Sequence, residues 1–144
     1  MASSDNPPGV LIAALVAKYA AAPSLAGIPG PYLNSKPADK ADVGLPYCVL
    51  RIIESFDDGW TCLSRRWLCV LEFEFFDSTP ENANSRLNAF NAVFSPKSLV
   101  LSFPVGCGLI SHRQVGGDIT EAESPDMQRA ACRYKFRFWL PLVD

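Results

Sequence analysis

The sequence predicts an α+β fold, and three stretches of the chain carry that prediction. Residues 128–140 and residues 65–76 alternate side chains of different character, while the stretch from Pro80 to Phe94 repeats apolar residues at helical spacing. Side chains alternate between the two faces of a strand, whereas residues three and four positions apart share one face of a helix. Two long strands and an amphipathic helix are therefore expected around a shared core.

The strand predicted over Gln128–Leu140 has one apolar face and one basic face. The apolar face holds Ala130, Cys132, Tyr134, Phe136, Phe138 and Leu140, and the basic face holds Arg129, Arg133, Lys135 and Arg137. Because the apolar side of a half-buried strand covers the core, the basic side is expected to meet water or a partner.

A first helix is predicted to begin at Pro7 or Pro8 and to end near Ala22, because proline is tolerated in the first turn of a helix. Its candidate caps are Asp5 and Asn6. One side of the helical wheel carries bulky residues and the other carries alanines, among them Ala13 and Ala17. Such a helix is expected either to lie deep in the domain or to have its alanine face covered by another subunit.

The segment between this helix and the long strands is predicted as a loop followed by a hairpin. Residues 23–46 are rich in proline and glycine, and a loop of this length is either functional or a disordered connector. A strand is expected over Tyr47–Glu54, and a hairpin turn at 57–59, where Asp-Asp-Gly supplies positive-φ positions. The chain is expected to return over Trp60–Ser64 into the strand Arg65–Phe76.

A second helix is the clearest local prediction. Ser78 or Thr79 caps it and Pro80 opens it. One narrow stripe is expected to pack on the sheet, consisting of Ala83, Leu87, Phe90 and Phe94.

Three shorter strands are predicted after this helix. The first is Leu99–Phe103, and the other two are Leu109–Val115 and Asp118–Glu123, joined at Gly116-Gly117. A glycine pair between two strands favours a hairpin, so the last two can project as an arm.

Length and charge restrict the class of protein. A chain of 144 residues fits a single domain, spanning 1–144, that can fold alone. Charged residues make up 19%, below the usual ~25%, which favours a protein that buries surface against other chains. The net charge of -2 provides no general attraction for nucleic acid, so no specific nucleic-acid binding is expected.

The five cysteines are predicted to be reduced. Their number is odd and no C-x-x-C pair occurs, while Cys48, Cys69 and Cys132 fall at apolar strand positions. The longest apolar run near the N-terminus, Gly9–Ala17, is far shorter than the ~20 residues of a membrane span, and no cation precedes it. A soluble protein without a membrane partner is expected.

The residue types needed for catalysis are scarce. His112 is the only histidine, and no G-x-S-x-G elbow is present. One histidine and scattered cysteines match no zinc spacing, and the glycine pairs lack the context of a phosphate-binding loop. We therefore expect no enzyme activity, no catalytic or metal-binding residue and no cofactor.

Two carboxylates, Glu72 and Glu74, share one face of a predicted strand. They suit either a general acid/base pair or cross-strand ion pairs, and a basic neighbouring strand favours ion pairs with Arg133, Lys135 or Arg137. Cations left over from such pairing, together with Arg65 and Arg66, are candidate contacts to an acidic partner.

The elements follow one another in a distinctive order. A helix and a long loop lead into a strand entered by Gly44-Leu45-Pro46-Tyr47-Cys48-Val49, and a mid-chain helix precedes the final basic and aromatic strand. Over most of its length the chain resembles the tail terminator proteins of long-tailed bacteriophages. The resemblance implies a mostly antiparallel β-sheet with two helices packed on one face, assembled as a hexameric ring.

The resemblance also implies a function. A tail terminator ring caps the finished tail tube, ends its polymerisation and offers a surface to the head-side connector. The expected partners are therefore other copies of the chain, the tail tube protein and a head-side connector or stopper protein. The expected location is the tail or neck of a virion, with assembly in the host cytoplasm.

Other functions suit the same residues. A neck or head-tail connector protein, or a minor capsid protein, is the alternative among assembly proteins. A monomeric domain that binds a small ligand is a more remote one. The candidate interface residues are Ala13, Ala17, Arg65, Arg66, Arg129, Arg133, Lys135 and Arg137, and we expect Arg129 or Arg137 to affect assembly more than folding.

Overall fold

The computed structural model describes residues 6–40 and 43–141. Within these ranges one sheet carries two helices, and the predicted α+β fold is confirmed. The helices are α1 (Pro7–Ala21) and α2 (Pro80–Phe94). The strands are β1 (Tyr32–Leu33), β2 (Tyr47–Trp60), β3 (Ser64–Asp77), β4 (Gly108–Gln114), β5 (Ile119–Ser124) and β6 (Met127–Pro141).

The centre of the sheet is the antiparallel pair β3 and β6. Their pairing runs without a register break from Ser64 opposite Pro141 to Asp77 opposite Gln128. The strands are ordered β1-β2-β3-β6-β4, with β5 also pairing with β6, and only β1 is parallel to its neighbour. The two long strands expected from residue alternation are therefore confirmed.

The core lies between the two helices and one face of this sheet. Phe90 of α2 has its ring centroid 4.4 Å from that of Phe73 and 5.4 Å from that of Phe75, and Phe94 stacks beside it at 4.4 Å. The hydroxyl of Thr79 accepts a hydrogen bond from the Asn82 amide and caps the helix, as one of the two expected caps. Each buried phenylalanine contributes about 1.5–3 kcal/mol through apolar burial.

Helix α1 places its bulky side in the same core. Leu11, Leu15 and Tyr19 are buried in it, and the Tyr19 hydroxyl donates to the carbonyl of Ile28 at 3.0 Å. The side chain of Asn6 caps the helix by accepting from the amide of Gly9. The other candidate cap, Asp5, lies outside the described residues.

The proline-rich segment after α1 contains short elements of regular structure among its described residues. It contains two short 3-10 turns, Pro23–Leu25 and Ala38–Lys40, and the strand β1. Gly30 has φ of 113°, and a Cβ there would lie 2.4 Å from the Cys48 carbonyl oxygen, so only glycine fits this close approach.

The predicted hairpin turn at 57–59 is wrong. Strand β2 continues to Trp60, and Gly59, with φ of 128°, lies where the register with β3 shifts. The chain reverses at 61–63, where the Thr61 hydroxyl accepts from the amides of Leu63 and Ser64. A positive-φ glycine suits a bulge as well as a turn, and pairing with the long strand β3 decides between them.

The predicted strand Leu99–Phe103 is also wrong. Leu99, Leu101 and Phe103 pack against the core, but no described strand pairs with this segment. Alternating burial therefore reflects an extended chain lying on the core rather than a member of the sheet.

The predicted arm around Gly116-Gly117 does not form. Strands β4 and β5 both pair antiparallel with β6, β4 along residues 134–139 and β5 along residues 127–131. They lie end to end, because the amide of Val115 donates to the carbonyl of Arg133 and keeps the chain on β6. The two glycines therefore lie at a break between two strands that both pair with β6, and they do not form a hairpin turn.

No helix in the described part of the chain is long and apolar enough to cross a membrane. All five cysteines, each in the described ranges, are free thiols.

Candidate protein-contact surfaces

The face of the sheet that points away from the helices, called here the open face, is buried without a helix over it. On β3 it holds Leu68, Val70, Glu72, Glu74 and Phe76, all at most 7% exposed. Among the described residues, the hydrophobic core cluster that contains Leu11 and Leu15 of α1 and Leu87 and Phe90 of α2 includes none of these five. Long side chains from neighbouring strands must therefore cover this face.

Half of the open face is an ion-pair network centred on Arg129. Its guanidinium contacts Glu74, approaches a Glu72 oxygen at 3.1 Å, and approaches Glu121 at 3.0 Å. Arg51 also pairs with Glu74, and Arg133 pairs with Glu72 at 3.1 Å, which confirms one of the expected pairs. The carboxylates on β3 are thus engaged by guanidinium groups from β2 and β6.

Of the three partners expected for Glu72 and Glu74, only Arg133 pairs with these carboxylates, and Lys135 and Arg137 do not. In the register, Lys135 lies opposite Val70 and Arg137 lies opposite Leu68, while Arg129 lies opposite Phe76. The diagonal reach of the long Arg129 side chain brings its guanidinium to both carboxylates. The exact register decides the partners, and residue alternation alone does not supply it.

Arg129 is less accessible than Arg133 and Arg137 on the basic face of β6. Its side chain is 11% exposed, compared with 47% for Arg133 and 44% for Arg137. Burial by itself lowers the pKa of Arg129, but hydrogen bonding and the charges of Glu74, Glu72 and Glu121 outweigh it, so this pKa is raised. Arg129 therefore remains a cation that holds the network together.

The other half of the open face is a basic patch, consisting of Arg66, Arg113, Lys135 and Arg137. Arg137 pairs with Asp58 at 3.1 Å, and Arg113 lies directly opposite Lys135 in the register. In the described ranges no ion pair joins Arg66, Arg113 or Lys135 to a carboxylate. Like charges opposite each other repel, so this half suits an acidic partner.

Arg113 was not among the contact residues predicted from the sequence. The pattern that could have identified it is its place in the predicted strand Leu109–Val115, where alternate residues share one face. Its place beside Lys135 follows only from the pairing of β4 with β6.

Arg65 and Arg66 lie on opposite faces of β3, so these two predicted contact residues do not belong to one surface. Its guanidinium lies 6.0 Å from the ring of Trp60 and 5.8 Å from the ring of Trp67. These are cation–π distances. Arg65 therefore stacks with aromatic rings at the end of the sheet rather than joining the basic patch.

The alanine face of α1 is exposed at Ala13 and Ala17. A groove of about 490 Å³ separates this face from the extended segment and is lined by Ala13, Ala14, Ser102, Phe103 and Pro104. A small-residue face beside a groove permits close approach of another chain.

The sheet has open edges on opposite sides. Strand β1 pairs only with Val49 and Leu50, so β2 has no second strand neighbour from Ile52 to Trp60 among residues 6–40 and 43–141. In the same ranges, β4 pairs with β6 alone. Both edges expose backbone N–H and C=O groups that another strand can use.

His112 sits in a structural contact. Its ring stacks on Phe136 with centroids 6.2 Å apart, and its Nε2 lies 3.0 Å from the carbonyl oxygen of Pro96. Because a carbonyl only accepts, this geometry assigns the proton to Nε2. Within the described residues, no cluster of three histidines, cysteines or carboxylates could hold a metal ion.

The fold is similar to that of a known virion component. Comparison of the sequence with protein-family models gave no match, and comparison with curated proteins gave none. In structure, the chain matches one from the "Virion of native gene transfer agent (GTA) particle" with a TM-score of 0.67 and 16% identity. The match covers 92% of this chain and 96% of that chain, so the likeness extends over the whole fold.

Proposed function

We propose that this chain is a structural protein of a phage-like virion. The observation that carries the proposal is the fold likeness to a chain of a gene transfer agent virion, over 92% of this chain and 96% of the other. The match covers nearly all of both chains, so the likeness is not confined to one part of the fold.

Within that class we propose a tail terminator. The chain would form a hexameric ring that caps the tail tube, ends its polymerisation and provides the head-tail joining surface. The order of elements supports this role, as does a molecule whose sheet edges and helix face are open to neighbours. A virion location and assembly in the host cytoplasm follow from the same proposal, and no enzymatic activity is part of it.

Separate surfaces are available for the separate partners. The alanine face of α1, at Ala13 and Ala17, and the open sheet edges suit contacts between subunits. The basic patch suits the last ring of the tail tube or the head-side connector, because three of its four cations, Arg66, Arg113 and Lys135, form no ion pair in the described residues, while Arg137 pairs with Asp58. Arg133 is 47% exposed and pairs with Glu72, and Arg129 contributes mainly by supporting this surface.

A neck or head-tail connector protein, or a minor capsid protein, is the second candidate. The fold likeness to a chain of a gene transfer agent virion favours it equally, because that likeness does not depend on where in the particle the chain lies. Binding to the tube protein separates the two roles: a terminator binds tube ends, and a connector or capsid protein does not.

The test combines light scattering, negative-stain imaging and tube assembly with the tube protein of the same particle. We expect six-fold rings, alone or on tube ends, and tubes that stop growing when the protein is added. A monomer at every concentration, with no binding to tubes or connector, would overturn the terminator role and leave a minor capsid protein or a ligand-binding domain as the remaining candidates.

A variant pair sharpens this experiment. Ala13→Glu with Ala17→Glu adds charge to the exposed helix face and is expected to weaken rings while circular dichroism stays unchanged. Asn88→Glu adds a charge to an exposed position of α2 and serves as the control. Equal ring formation in both variants would remove α1 from the subunit interface.

A further inference from the structure

The outer edge of β2 is acidic and partly apolar. Between Ile52 and Trp60 it carries Glu54, Asp57 and Asp58 and no cation. Glu54 and Asp57 are exposed and have no ion pair in the described ranges, whereas Asp58 pairs across the sheet with Arg137. Apolar side chains on the same stretch are 37–63% exposed, namely Ile52, Ile53, Phe56 and Trp60.

The edge on the other side of the sheet, at β4, is basic. Gly108–Gln114 carries His112 and Arg113 and no carboxylate. Lys97 lies beside this strand and lines a cleft of about 370 Å³ with Leu109, Ile110, Ser111 and His112. Arg113 and Lys97 are exposed, and neither forms an ion pair with another described residue.

The nearest carboxylate after β4 does not neutralise this edge. Asp118 accepts hydrogen bonds from the side-chain amides of Asn91 and Gln114. Arg113 is exposed and forms no ion pair with a described residue, and the same strand carries Ile110, which is 38% exposed.

Charge on these edges selects their partner. Proteins protect open edges with charges and bulges, and both edges here have register shifts, at 52–54 and 57–59 on β2 and at 109–111 on β4. Two acidic β2 edges repel each other, and so do two basic β4 edges. An acidic edge meeting a basic one gains from the same charges.

We propose that the outer edge of β2 in one copy pairs with the outer edge of β4 in the next copy. This inference rests on the proposed function, since it describes how the ring is joined. The contact is heterologous because the two edges lie on opposite sides of one sheet, and a heterologous contact forms a ring when its repeated rotation closes. Exposed apolar residues on both edges supply the surface that becomes buried.

A charge exchange between the edges tests the pairing. One variant is Glu54→Lys with Asp57→Lys, which makes the β2 edge basic; the other is Lys97→Glu with Arg113→Glu, which makes the β4 edge acidic. Each variant alone places like charges at every contact and is expected to be monomeric by light scattering. A 1:1 mixture restores opposite charges at every contact and is expected to form a ring in which the two variants alternate.

The alternating ring is a sharp readout because it requires an even number of subunits. Native mass spectrometry of the mixture is expected to give three copies of each variant in a hexamer. The matched control, Asp39→Lys with Glu81→Lys, changes two exposed carboxylates away from both edges and is expected to leave rings unchanged. Circular dichroism establishes that each variant is folded.

The outcomes separate the pairing from the proposed function. Wild-type rings together with rings from each single variant would overturn the edge pairing and leave the ring intact. Wild-type protein that forms no ring, even on tube ends, would overturn the proposed function as well. Variants that keep rings would overturn the pairing whether or not they bind the tube protein, because Arg113 also belongs to the basic patch proposed to contact the tube or the connector.

Neutral substitutions provide a second measurement where a reversed variant does not fold. Glu54→Gln with Asp57→Asn, or Lys97→Gln with Arg113→Gln, removes the attraction without adding repulsion. We expect association about tenfold weaker at low salt and little difference at high salt, because screening removes the same attraction from the wild type. Association equal to wild type at low salt would overturn the pairing.

Discussion

The two faces of the central sheet are buried by different means. Under α1 and α2 the sheet contributes aromatic and aliphatic side chains, and Phe73 and Tyr134 are completely covered. On the open face, Glu72 and Glu74 are 6% and 3% exposed beneath arginine side chains. The same two strands therefore supply an apolar core on one side and a neutralised layer of charge on the other. Burial on the open face depends on matched partners, which makes it sensitive to changes of a single charge.

The largest expected effect comes from breaking the helix-covered face at its centre. Phe90→Ala removes a ring that contacts Phe73, Phe75, Phe94 and Tyr134. We expect the free energy of unfolding to fall by about 4 kcal/mol, because the lost transfer energy is joined by the cost of a cavity. Urea unfolding followed by circular dichroism measures this change.

The control for this variant is Val100→Ala, at a side chain that is 73% exposed. Its effect is expected within about 0.5 kcal/mol. A loss below about 1 kcal/mol for Phe90→Ala would show that the aromatic cluster is not what stabilises the covered face.

The next effect comes from breaking the charged layer. Arg129→Met keeps the apolar stem and removes the cation shared by Glu72, Glu74 and Glu121. We expect a loss of about 3 kcal/mol in the free energy of unfolding, because two buried carboxylates lose a partner. Of the two residues for which the sequence predicts an effect on assembly more than on folding, Arg129 or Arg137, we therefore expect Arg129 to act mainly on folding.

Two further variants make that prediction decisive. Arg133→Met removes a partner of Glu72 that is 47% exposed and is expected to cost less than half as much. Adding Glu74→Gln to Arg129→Met is expected to recover part of the loss, since it removes a carboxylate left without its buried partner. No recovery would mean that Arg129 stabilises the protein through packing and not through charge.

The sequence predicts the helix-covered face well because that face depends on periodicity. Ala83, Leu87, Phe90 and Phe94 recur at helical spacing, and all four are buried as expected. The long strands follow from alternation in the same way. A residue that suits two local structures was less informative. Gly59 suited a turn or a bulge, and the pairing of β2 with β3 determined which one formed.

The open face was predictable only in part because its contacts depend on register. Pairing of Arg133 with Glu72 was expected from two alternating strands and is confirmed. The role of Arg129 required knowing that it lies opposite Phe76, within diagonal reach of Glu74. The basic patch required knowing that β4, and not β5, lies beside Lys135.

The ionisation of a buried thiol, that of Cys69, tests the helix-covered face with a smaller expected effect than Phe90→Ala or Arg129→Met. Burial raises the pKa of Cys69 from its ordinary value of 9.0 to about 11, with a hydrogen bond to Ser55 acting in the opposite direction. In the unfolded chain the thiol loses its proton first, so its contribution to stability is full below pH 9 and is lost between pH 9 and 11. At pH 10 the loss from this one group is about 1 kcal/mol.

Urea unfolding at pH 8 and pH 10 measures this contribution. Cys69→Ala is expected to lose about 1 kcal/mol less than wild type over that interval, whatever its stability at pH 8. Cys62→Ala, at an exposed thiol, should keep the wild-type dependence on pH. Cys48 and Cys132 are buried with pKa values raised by burial, so some alkaline loss must remain in Cys69→Ala. Identical pH dependence in wild type and Cys69→Ala would contradict the prediction.

The smallest effect on folding is expected for a variant in the basic patch. It compares the two halves of the open face, the ion-pair network and the basic patch. Arg137 pairs with Asp58, but the two side chains are 44% and 23% exposed, so water and salt screen the pair. Arg137→Ala should therefore lower the free energy of unfolding by less than 1 kcal/mol, while co-sedimentation with assembled tail tubes falls relative to wild type. Lys40→Ala, at an exposed cation outside the patch, should change neither quantity. A loss near that of Arg129→Met would place Arg137 in the structural network, whereas unchanged tube binding would leave the basic patch without its proposed partner.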